Sequence, residues 1–301
     1  MTVHVVRPEG VDDPARPSGG NVYDRRVIAG LGAVEHPTTA TVPDGAVALV
    51  DGLISSPALL AETERLRVVV LVHMPREEPW EGAVLRAAAG VVTTSRWTRE
   101  RLLELYALDP ARVHVAEPGV DRAPVASGSA TGGALLCVGA VTRLKGYDVL
   151  TAALATLDDL AWSCRGIGST EIEPAYAAAL GPEVRLTGPL TRAELDATYA
   201  EADLLVLASR AETYGMVATE ALARGVPVVA SDVGGVREAV AGGGVLVPPG
   251  DPVALAAALR RWLTDGSHRV ALRDAARERR ATLTGWDRTT ALVAEAVAAL
   301  R

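Results

Sequence analysis

Residues 209–235 decide how the rest of the chain is interpreted, and they read SRAETYGMVATEALARGVPVVASDVGG. The apolar run at residues 202–208 precedes them and predicts a buried parallel strand. Gly215 lets the backbone turn sharply, and residues 216–223 after it favour a helix. A valine-rich run that follows predicts a second buried strand. The stretch is therefore a strand, a glycine turn, a helix and another strand.

This order of elements predicts an anion site. The backbone N–H groups of Gly215, Met216 and Val217 would point beyond the strand end, where the helix dipole also favours negative charge. Two carboxylates, Glu212 and Glu220, flank the turn. Ionised carboxylates only accept hydrogen bonds, so they suit sugar hydroxyls rather than phosphate. Amides for phosphate and carboxylates for hydroxyls together predict a nucleotide-sugar ligand.

The same stretch carries a family resemblance. Glu212, then Glu220 after seven intervening residues, and then ALARGVPVVASDVGG at residues 221–235 resemble the donor-site motif of retaining GT-B glycosyltransferases of family 4. The glutamate pair alone is a weak signal, whereas the whole string in order is specific. The resemblance implies two doubly wound, Rossmann-like parallel-sheet domains facing a cleft. The alternative interpretation is a surface glutamate and a helical glutamate in an ordinary α/β domain.

Composition fits two ordinary domains. The chain has 301 residues, of which 49% are hydrophobic, and it lacks Phe entirely. The cores must therefore be built from Val, Leu and Ala. A net charge of −7 and only 4% aromatic residues argue against a nucleic-acid partner, which needs a basic footprint and stacking surfaces.

The cysteines and the hydropathy pattern predict a cytoplasmic protein. Cys137 and Cys164 both lie in apolar runs, which is typical of reduced core thiols. No signal peptide opens the chain, and no apolar run is long enough to cross a membrane. A peripheral membrane contact is left open.

The first domain is predicted over residues 1–127 as the acceptor-side domain. Short apolar runs alternate with helical patterns, which indicates a parallel sheet covered on both faces. The segment between His36 and Ala46 is short where relatives carry extra strand-helix material, so this domain looks trimmed. Strands are predicted at residues 3–7, 47–51, 66–72, 90–94 and 112–116.

A glycine turn follows the first strand and a polar loop at residues 8–17. Gly19, Gly20 and Asn21 come just before a helix that runs to about Gly30, which makes a second anion-friendly turn. The resemblance places this turn at the mouth of the cleft, near the donor diphosphate and the acceptor. The alternative is a flexible turn with a helix cap.

His73 stands at the carboxyl end of the apolar strand 66–72. Ligands of open α/β sheets bind at those ends. The resemblance implies that His73 faces the donor sugar across the cleft as a catalytic residue. The alternative is a structural histidine.

The second domain is predicted over residues 128–284 as the nucleotide-sugar domain. A Gly-, Ser- and Ala-rich segment at residues 124–133 is typical of a linker. The resemblance implies that the last helix, residues 285–301, crosses back onto the first domain. Strands are predicted at residues 134–138, 161–166, 184–186, 204–207, 226–230 and 244–247.

The loop GAVTRLKGY at residues 139–147 carries the cations. Relatives have an Arg directly after the first glycine and a Lys before the second. Lys145 matches the Lys, but Ala140 stands at the Arg position. Arg143 lies in the same loop as a candidate substitute, or as a solvated charge. Such cations offset the charge that develops on a leaving diphosphate, which makes Lys145 a catalytic as well as a donor-binding candidate.

The remaining candidates complete the donor site. By resemblance, Glu220 binds the ribose hydroxyls and Glu212 contacts the sugar ring as a catalytic residue. Tyr214 is predicted to lean on the sugar or nucleobase, or else to be a partly buried loop aromatic. Gly188 is predicted in the nucleobase wall. The sequence has no Asp-x-Asp pair to hold a divalent ion, so no metal and no cofactor are expected.

The resulting interpretation is a retaining, metal-independent glycosyltransferase that uses a nucleotide-diphosphate-sugar. The acceptor, whether sugar, lipid or small molecule, stays unidentified. The alternatives are an inactive nucleotide-sugar-binding protein, which the missing Arg favours, and a nucleotide-sugar epimerase or a phosphorylase on the same architecture. A dehydrogenase is disfavoured because neither domain has Gly-x-Gly-x-x-Gly after its first strand.

Overall fold

The computed structural model describes residues 2–8 and 18–300, and the rest of the chain, including most of the predicted loop at 8–17, lies outside the described residues. The described chain forms two compact units. Residues 2–8, 18–119 and 284–300 make up the first unit, and residues 120–283 make up the second. The contact boundary therefore falls eight residues before the predicted start at 128, since it separates Gly119 from Val120.

The first unit contains a six-stranded parallel sheet in the order β2-β1-β3-β4-β5-β6. Apolar β-branched residues fill its central strands, as expected of a sheet that is buried on both faces. The strands are β1 (Val3–Val6), β2 (Val34–His36), β3 (Val47–Asp51), β4 (Arg67–Val72), β5 (Gly90–Thr93) and β6 (Val113–Val115).

Helices cover both faces of this sheet. The C-terminal helix is part of the first unit, and its Val293 packs in one core cluster with Tyr23 and Val27 of the first helix. The crossing back that the resemblance implies for the last helix is therefore present. The helices are α1 (Gly19–Leu31), α2 (Leu59–Glu62), α3 (Glu81–Ala87), α4 (Arg96–Tyr106) and α12 (Trp286–Ala298).

Strand β2 escaped the sequence analysis. It has three residues at the sheet edge, and Val34 is largely exposed, so it lacks the apolar run that marks a buried strand. After β2, a single helical turn at Thr39–Thr41 replaces any further strand and helix. The first sheet therefore has one strand beyond β1, which agrees with the predicted trimming.

The second unit contains a six-stranded parallel sheet in the order β12-β11-β10-β7-β8-β9. This is the doubly wound order of dinucleotide-binding domains, with two strands beyond the first one. The strands are β7 (Ala134–Val138), β8 (Ser163–Ile167), β9 (Arg185–Leu186), β10 (Leu204–Leu207), β11 (Val228–Ser231) and β12 (Gly244–Val247).

Two apolar clusters lie on opposite faces of the second sheet. Alternate residues of β10 divide between them, Leu204 and Val206 on one face and Leu205 and Leu207 on the other. The helices are α5 (Tyr147–Leu154), α6 (Pro174–Ala178), α7 (Arg192–Glu201), α8 (Met216–Leu222), α9 (Val236–Val240), α10 (Pro252–Thr264) and α11 (Gly266–Thr282). No helix among the described residues is both long enough and apolar enough to span a bilayer.

The segment predicted as a linker, residues 124–133, is fastened to the second unit. Asp203 is fully buried and accepts hydrogen bonds from the backbone N–H groups of Ser129 and Ala134, each at 2.9 Å. It also forms an ion pair with Arg273. Ala126 N–H also donates to the carbonyl of Arg224. The segment predicted as a linker is therefore held to the second unit by hydrogen bonds, of which a buried carboxylate accepts two from its backbone.

Each sheet has one point at which the strand order reverses. In the second unit this point lies between β7 and β10, and in the first unit it lies between β1 and β3. Loops leaving neighbouring strands in opposite directions open a crevice there, at the carboxyl ends of the strands. These two positions are where the ionisable candidates collect.

Gly146 lies where the loop after β7 packs against the end of β10, and its substitution tests how tight this packing is. Its φ is +67°, and a Cβ there would lie 2.1 Å from the carbonyl oxygen of Ala208 at the end of β10. Gly146→Ala should therefore cost about 2–5 kcal/mol, from the left-handed backbone plus the displaced carbonyl. Gly250→Ala is the matched control, because Gly250 has a φ of +70° and open space around it.

The measurement is urea unfolding of both variants. Gly250→Ala should lose only the conformational cost of about 1–2 kcal/mol. Equal losses for the two variants would show that the Gly146 loop is free to move away from β10.

Candidate functional site

The loops after β7 and β8 pack against each other at the second crevice. Gly168 has a φ of +153°, and a Cβ there would lie 2.0 Å from the carbonyl oxygen of Gly139. The Tyr147 hydroxyl donates to that same carbonyl at 2.9 Å. These contacts fix the backbone of residues 139–146, which carries Lys145.

Lys145 and Glu212 meet across the crevice. The Lys145 ammonium (Nζ) lies 2.5 Å from Glu212 Oε1, and the Ser209 hydroxyl donates to the same oxygen at 2.9 Å. Lys145 is the only lysine in the chain, against 29 arginines. Both predicted catalytic residues of this unit are therefore brought together, with Ser209 as a third member that the sequence analysis did not single out.

Arg210 ties the two loops together. Its guanidinium binds both carboxylate oxygens of Asp148 at 2.7 and 2.8 Å and also donates to the carbonyl of Arg143. Its backbone N–H donates to the carbonyl of Leu144. The hydrogen bond from Arg210 lowers the pKa of Asp148 to about 2, so this clamp stays charged through the neutral range.

The glycine turn forms as predicted. Gly215 has a φ of +95° and is the N-cap of α8, which begins at Met216. Val217 follows within the first turn, and both side chains are half-buried. α8 has only seven residues, so it leaves free N–H groups in its first turn but has only a short dipole behind them.

Tyr214 lies in the core of the second unit. Its side chain is 5% exposed and packs in the core cluster with Leu207 and Val236. An aromatic ring directly after a short polar loop buries more area by turning inward than by facing solvent. The second of the two interpretations offered for it, that of a buried loop aromatic, is the one that the structure supports.

Glu220 lies on the inner side of α8 with two partners. The Tyr199 hydroxyl donates to Oε2 at 3.0 Å, and an Arg192 guanidinium nitrogen lies 3.4 Å from Oε1. Burial raises the pKa of Glu220, which the charge of Arg192 and the hydrogen bond from Tyr199 partly offset. Arg224 stacks on the Tyr199 ring and also pairs with Asp196.

The remaining donor-side candidates are Arg143 and Gly188, and no described side-chain hydrogen bond or ion pair joins either of them to Lys145 or Glu212. The Arg143 guanidinium is largely exposed, lies over the ring of Tyr176 and approaches Glu173 at 4.0 Å. Gly188 has a φ of +76°, and its carbonyl accepts from Gly168 N–H at 3.1 Å. Nothing among the described contacts directs Arg143 toward Lys145.

His73 lies at the carboxyl edge of the first sheet beside two buried aspartates. Its Nε2 is 2.8 Å from Asp24 Oδ1, and its side chain is 13% exposed. Ligand-type atoms of Asp24, Asp51 and His73 all lie within 4.8 Å of one another. Among the described residues, no other group of three has the spacing of a metal site.

The predicted cleft loop is the first turn of a helix. Gly19, Gly20 and Asn21 belong to α1, because the Ser18 hydroxyl caps the helix by accepting from Asn21 N–H at 3.1 Å. A Cβ at Gly20 would lie 3.3 Å from the His73 ring. The glycine therefore gives the histidine its space.

Several residues of these sites were missed by the sequence analysis. Asp51 is the last residue of a predicted strand, which was a usable signal because ligands bind at strand ends. Asp24, Tyr199 and Arg192 lie within helices, and nothing in the linear sequence sets them apart from other helical residues.

The chain matches two family models. Residues 127–279 match the family model described as Glycosyl transferases group 1, and residues 51–123 match that of Glycosyltransferase Family 4. The first match alone covers more than half of the chain. The chain belongs to the group 1 glycosyltransferases, as the donor-site motif indicated.

Curated relatives carry a common name. The D-inositol 3-phosphate glycosyltransferase 1 of Catenulispora acidiphila is 36% identical over 241 residues, which cover 70% of this chain and 57% of the relative. The D-inositol 3-phosphate glycosyltransferase of Salinispora tropica is 38% identical over 244 residues, 69% of this chain and 50% of the relative. The chain thus spans only half to three fifths of the length of these relatives.

Solved structures share the fold at low identity. Anabaena HepE in complex with UDP and glucose has a TM-score of 0.79 at 16% identity, with 99% of each chain covered. Sucrose-phosphate synthase from Thermosynechococcus elongatus has a TM-score of 0.77 at 20% identity, covering 100% of this chain and 99% of that one. The two Rossmann-like units therefore form a GT-B fold.

The single lysine allows the crevice contact to be tested directly. Protein produced with lysine that carries ¹³C at Cε gives Lys145 the only labelled side-chain resonance, and its ammonium group keeps all three N–H donors. Glu212→Gln should move that resonance, because the charged hydrogen bond at 2.5 Å is replaced by a neutral one. Glu173→Gln, which removes a carboxylate from the neighbouring loop, is the control and should leave the resonance in place. Equal shifts in both variants would contradict the specific pairing.

Proposed function

We propose that the chain is a retaining glycosyltransferase that takes a sugar from a nucleotide-diphosphate-sugar. The Lys145–Glu212 contact at the switch point of the second unit carries this proposal. In this contact a cation, which suits a diphosphate, lies next to a carboxylate, which suits sugar hydroxyls, at the edge where α/β sheets bind ligands. We assign the ribose hydroxyls to Glu220, which lies within α8.

Lys145 can serve both neighbours at once. An ammonium group has three N–H donors, so Lys145 can keep Glu212 as one acceptor and direct another donor at a phosphate oxygen. The amides of Gly215, Met216 and Val217 offer further donors in the first turn of α8. Glu212, oriented by Ser209 as well, has a second oxygen for a sugar hydroxyl.

The reaction requires that negative charge be offset on the leaving group. The bond between the anomeric carbon and the diphosphate oxygen breaks, and its electron pair leaves with the nucleoside diphosphate. The acceptor hydroxyl forms the new bond to the anomeric carbon, and its proton passes to the departing diphosphate oxygen. Lys145 stabilises the departing diphosphate, which lowers the barrier in proportion to the charge that develops. We propose that this charge on the protein replaces a divalent metal at the diphosphate.

The acceptor is proposed from the curated relatives. Their shared name makes D-inositol 3-phosphate the first acceptor to test, followed by other polyols, sugars and lipid-linked sugars. The proposal also includes a cytoplasmic location, supported by two buried free cysteines, which suit a reducing compartment.

A second candidate is an inactive protein that binds nucleotide-sugars. Ala140 stands where the family motif has Arg, and the Arg143 guanidinium pairs with Glu173 and Tyr176. Product formation from nucleotide-sugars with an acceptor panel, read by mass spectrometry and by NMR of the anomeric proton, separates the two. A product of retained anomeric configuration supports transfer, whereas binding without product over the whole panel supports the inactive candidate.

Donor binding is expected to need no metal and to need Glu220. UDP, GDP and ADP should be screened by calorimetry with a chelator present. Glu220→Ala should weaken the nucleotide that binds by about 1–3 kcal/mol, because hydroxyl groups lose a carboxylate acceptor. Glu201→Ala, an exposed glutamate of α7, is the control. Binding that disappears in chelator, or that survives Glu220→Ala unchanged, would count against the donor site.

His73 is proposed to contact the sugar mainly in the reacting complex. His73→Ala should therefore lower kcat by about tenfold to a thousandfold while donor affinity hardly changes. The two quantities should be measured on one preparation together with the melting temperature. A lower melting temperature with normal turnover of the folded fraction would make His73 a structural residue.

A further inference from the structure

Three buried ionisable side chains meet at the switch point of the first sheet. Asp24 comes from α1, Asp51 ends β3, and His73 follows β4. Nε2 of His73 lies 2.8 Å from Asp24 Oδ1, and the ligand-type atoms of all three residues lie within 4.8 Å of one another. The proposed function assigns a role to His73 and leaves both aspartates without one.

The charges of this group must be balanced locally. Asp24 is 2% exposed and Asp51 is 3% exposed. Both line a cavity of about 10 Å³ whose other walls are apolar: Val5, Val27, Ile28, Leu49 and Leu71. Two ionised carboxylates in such surroundings are costly unless a positive charge or a proton accompanies them. Within the described part of the chain, Asp24 Oδ2 has no hydrogen-bond partner, so no hydrogen bond to this oxygen offsets the negative charge of the carboxylate.

Bound protons on Asp51 and His73 reduce the net negative charge of the group. Burial and then the charge of Asp24 raise the pKa of Asp51 to about 6. Burial opposes the charge on His73, but the hydrogen bond and charge of Asp24 and the charge of Asp51 outweigh it, so the pKa of His73 is raised. The other ionisable group against the ring is Tyr23 of α1, which lies edge-on at 5.3 Å and stays neutral because burial raises its pKa.

The surroundings also fix which ring nitrogen is available. Asp24 occupies Nε2, Gly20 packs beside the ring, and Tyr23 closes a third side. Nδ1 has no hydrogen-bond partner among the described residues, and the side chain keeps 13% of its surface exposed. A polar network that served only the core would pair both nitrogens.

We propose that Asp24 and Asp51 are positioning residues that hold His73 as an imidazolium, with Nε2–H on Asp24 and Nδ1–H presented as a charged hydrogen-bond donor to the sugar. This inference rests on the proposed function, which gives His73 its substrate. It adds the charge state of the ring, its orientation and the two residues that set them. A carboxylate behind a histidine is a general way of fixing both properties.

The protonation state can be measured without turnover. Protein labelled with ¹⁵N-histidine has five histidines, and His73→Gln assigns the resonance of interest. The ring should show two protonated nitrogens at about pH 7, where a histidine with the usual pKa near 6.5 is mostly neutral. Asp24→Asn should shift that titration down by about one unit or more, because the opposite charge is lost while an amide oxygen can still accept from Nε2.

Two further variants keep this test decisive. Asp51→Asn can retain the hydrogen bond from Leu53 N–H to its side-chain oxygen, so it should fold if Asp24→Asn does not, and it should also shift the titration down. Asp44→Asn is the control, since Asp44 is exposed and pairs with Arg65. A neutral His73 ring in the wild-type protein at about pH 7, or equal titrations in all variants, would overturn the proposal.

Kinetics supply a readout that a structural role would not move. Asp24→Asn should lower kcat by about tenfold or more at about pH 8, leave the donor KM nearly unchanged, and regain activity toward about pH 5, where the ring is protonated again. Activity that is lost equally at every pH would overturn the proposal. A stoichiometric metal ion in the purified protein, whose removal changes the His73 resonances, would also overturn it and make the three residues an ion site.

If no acceptor gives product, the two hypotheses still separate. In that case, an imidazolium at His73 that Asp24→Asn neutralises would support the roles of the aspartates. The absence of product would contradict the transferase proposal. Product formation with a neutral His73 would do the reverse.

Discussion

The hydrogen-bonded ion pair between Lys145 and Glu212 is the contact on which the second unit's site depends. Each residue stands on a loop that leaves one of two neighbouring strands, β7 and β10. Gly146 brings one loop against the end of β10, and Arg210 ties the other back to it. The sheet therefore provides the distance, and the loops provide the chemistry. A ligand entering this crevice meets a cation and a carboxylate that are already placed, which reduces the ordering cost of binding.

The first unit differs in its charge balance, because its switch point has more carboxylates than permanent cations. Its switch point gathers two buried carboxylates and has one histidine to balance them. In the second unit the positive charge is a permanent ammonium group, whereas in the first it is a proton whose presence depends on the neighbours. The same topology thus yields a fixed cation in one sheet and an induced cation in the other. This difference explains why burial matters more at His73 than at Lys145, whose side chain is more exposed.

The sequence predicted the elements that burial controls and missed those that it does not. Runs such as residues 204–207 are apolar on both faces and can only be interior strands, whereas β2 has an exposed Val34 and gives no such signal. Glu212, Glu220 and Lys145 were found because a linear motif holds them. Asp24 was missed because it meets the other two residues only after the sheet brings α1 and β3 together, whereas the strand-end position of Asp51 was a signal that could have been used. The sequence left two positions open for Tyr214 and placed the start of α1 too late, because side-chain direction and helix starts depend on packing and caps rather than on composition.

The central claim is that Lys145 binds the diphosphate of the donor, and the resonance of the ¹³C-labelled Lys145 side chain tests it most directly. The labelled protein would be titrated with a nucleoside, its monophosphate and its diphosphate, using the base that binds best by calorimetry. We expect the diphosphate to shift the Lys145 resonance with the same saturation as the calorimetric binding curve, and the nucleoside to leave it unmoved. A diphosphate that saturates the protein without moving this resonance would contradict the account.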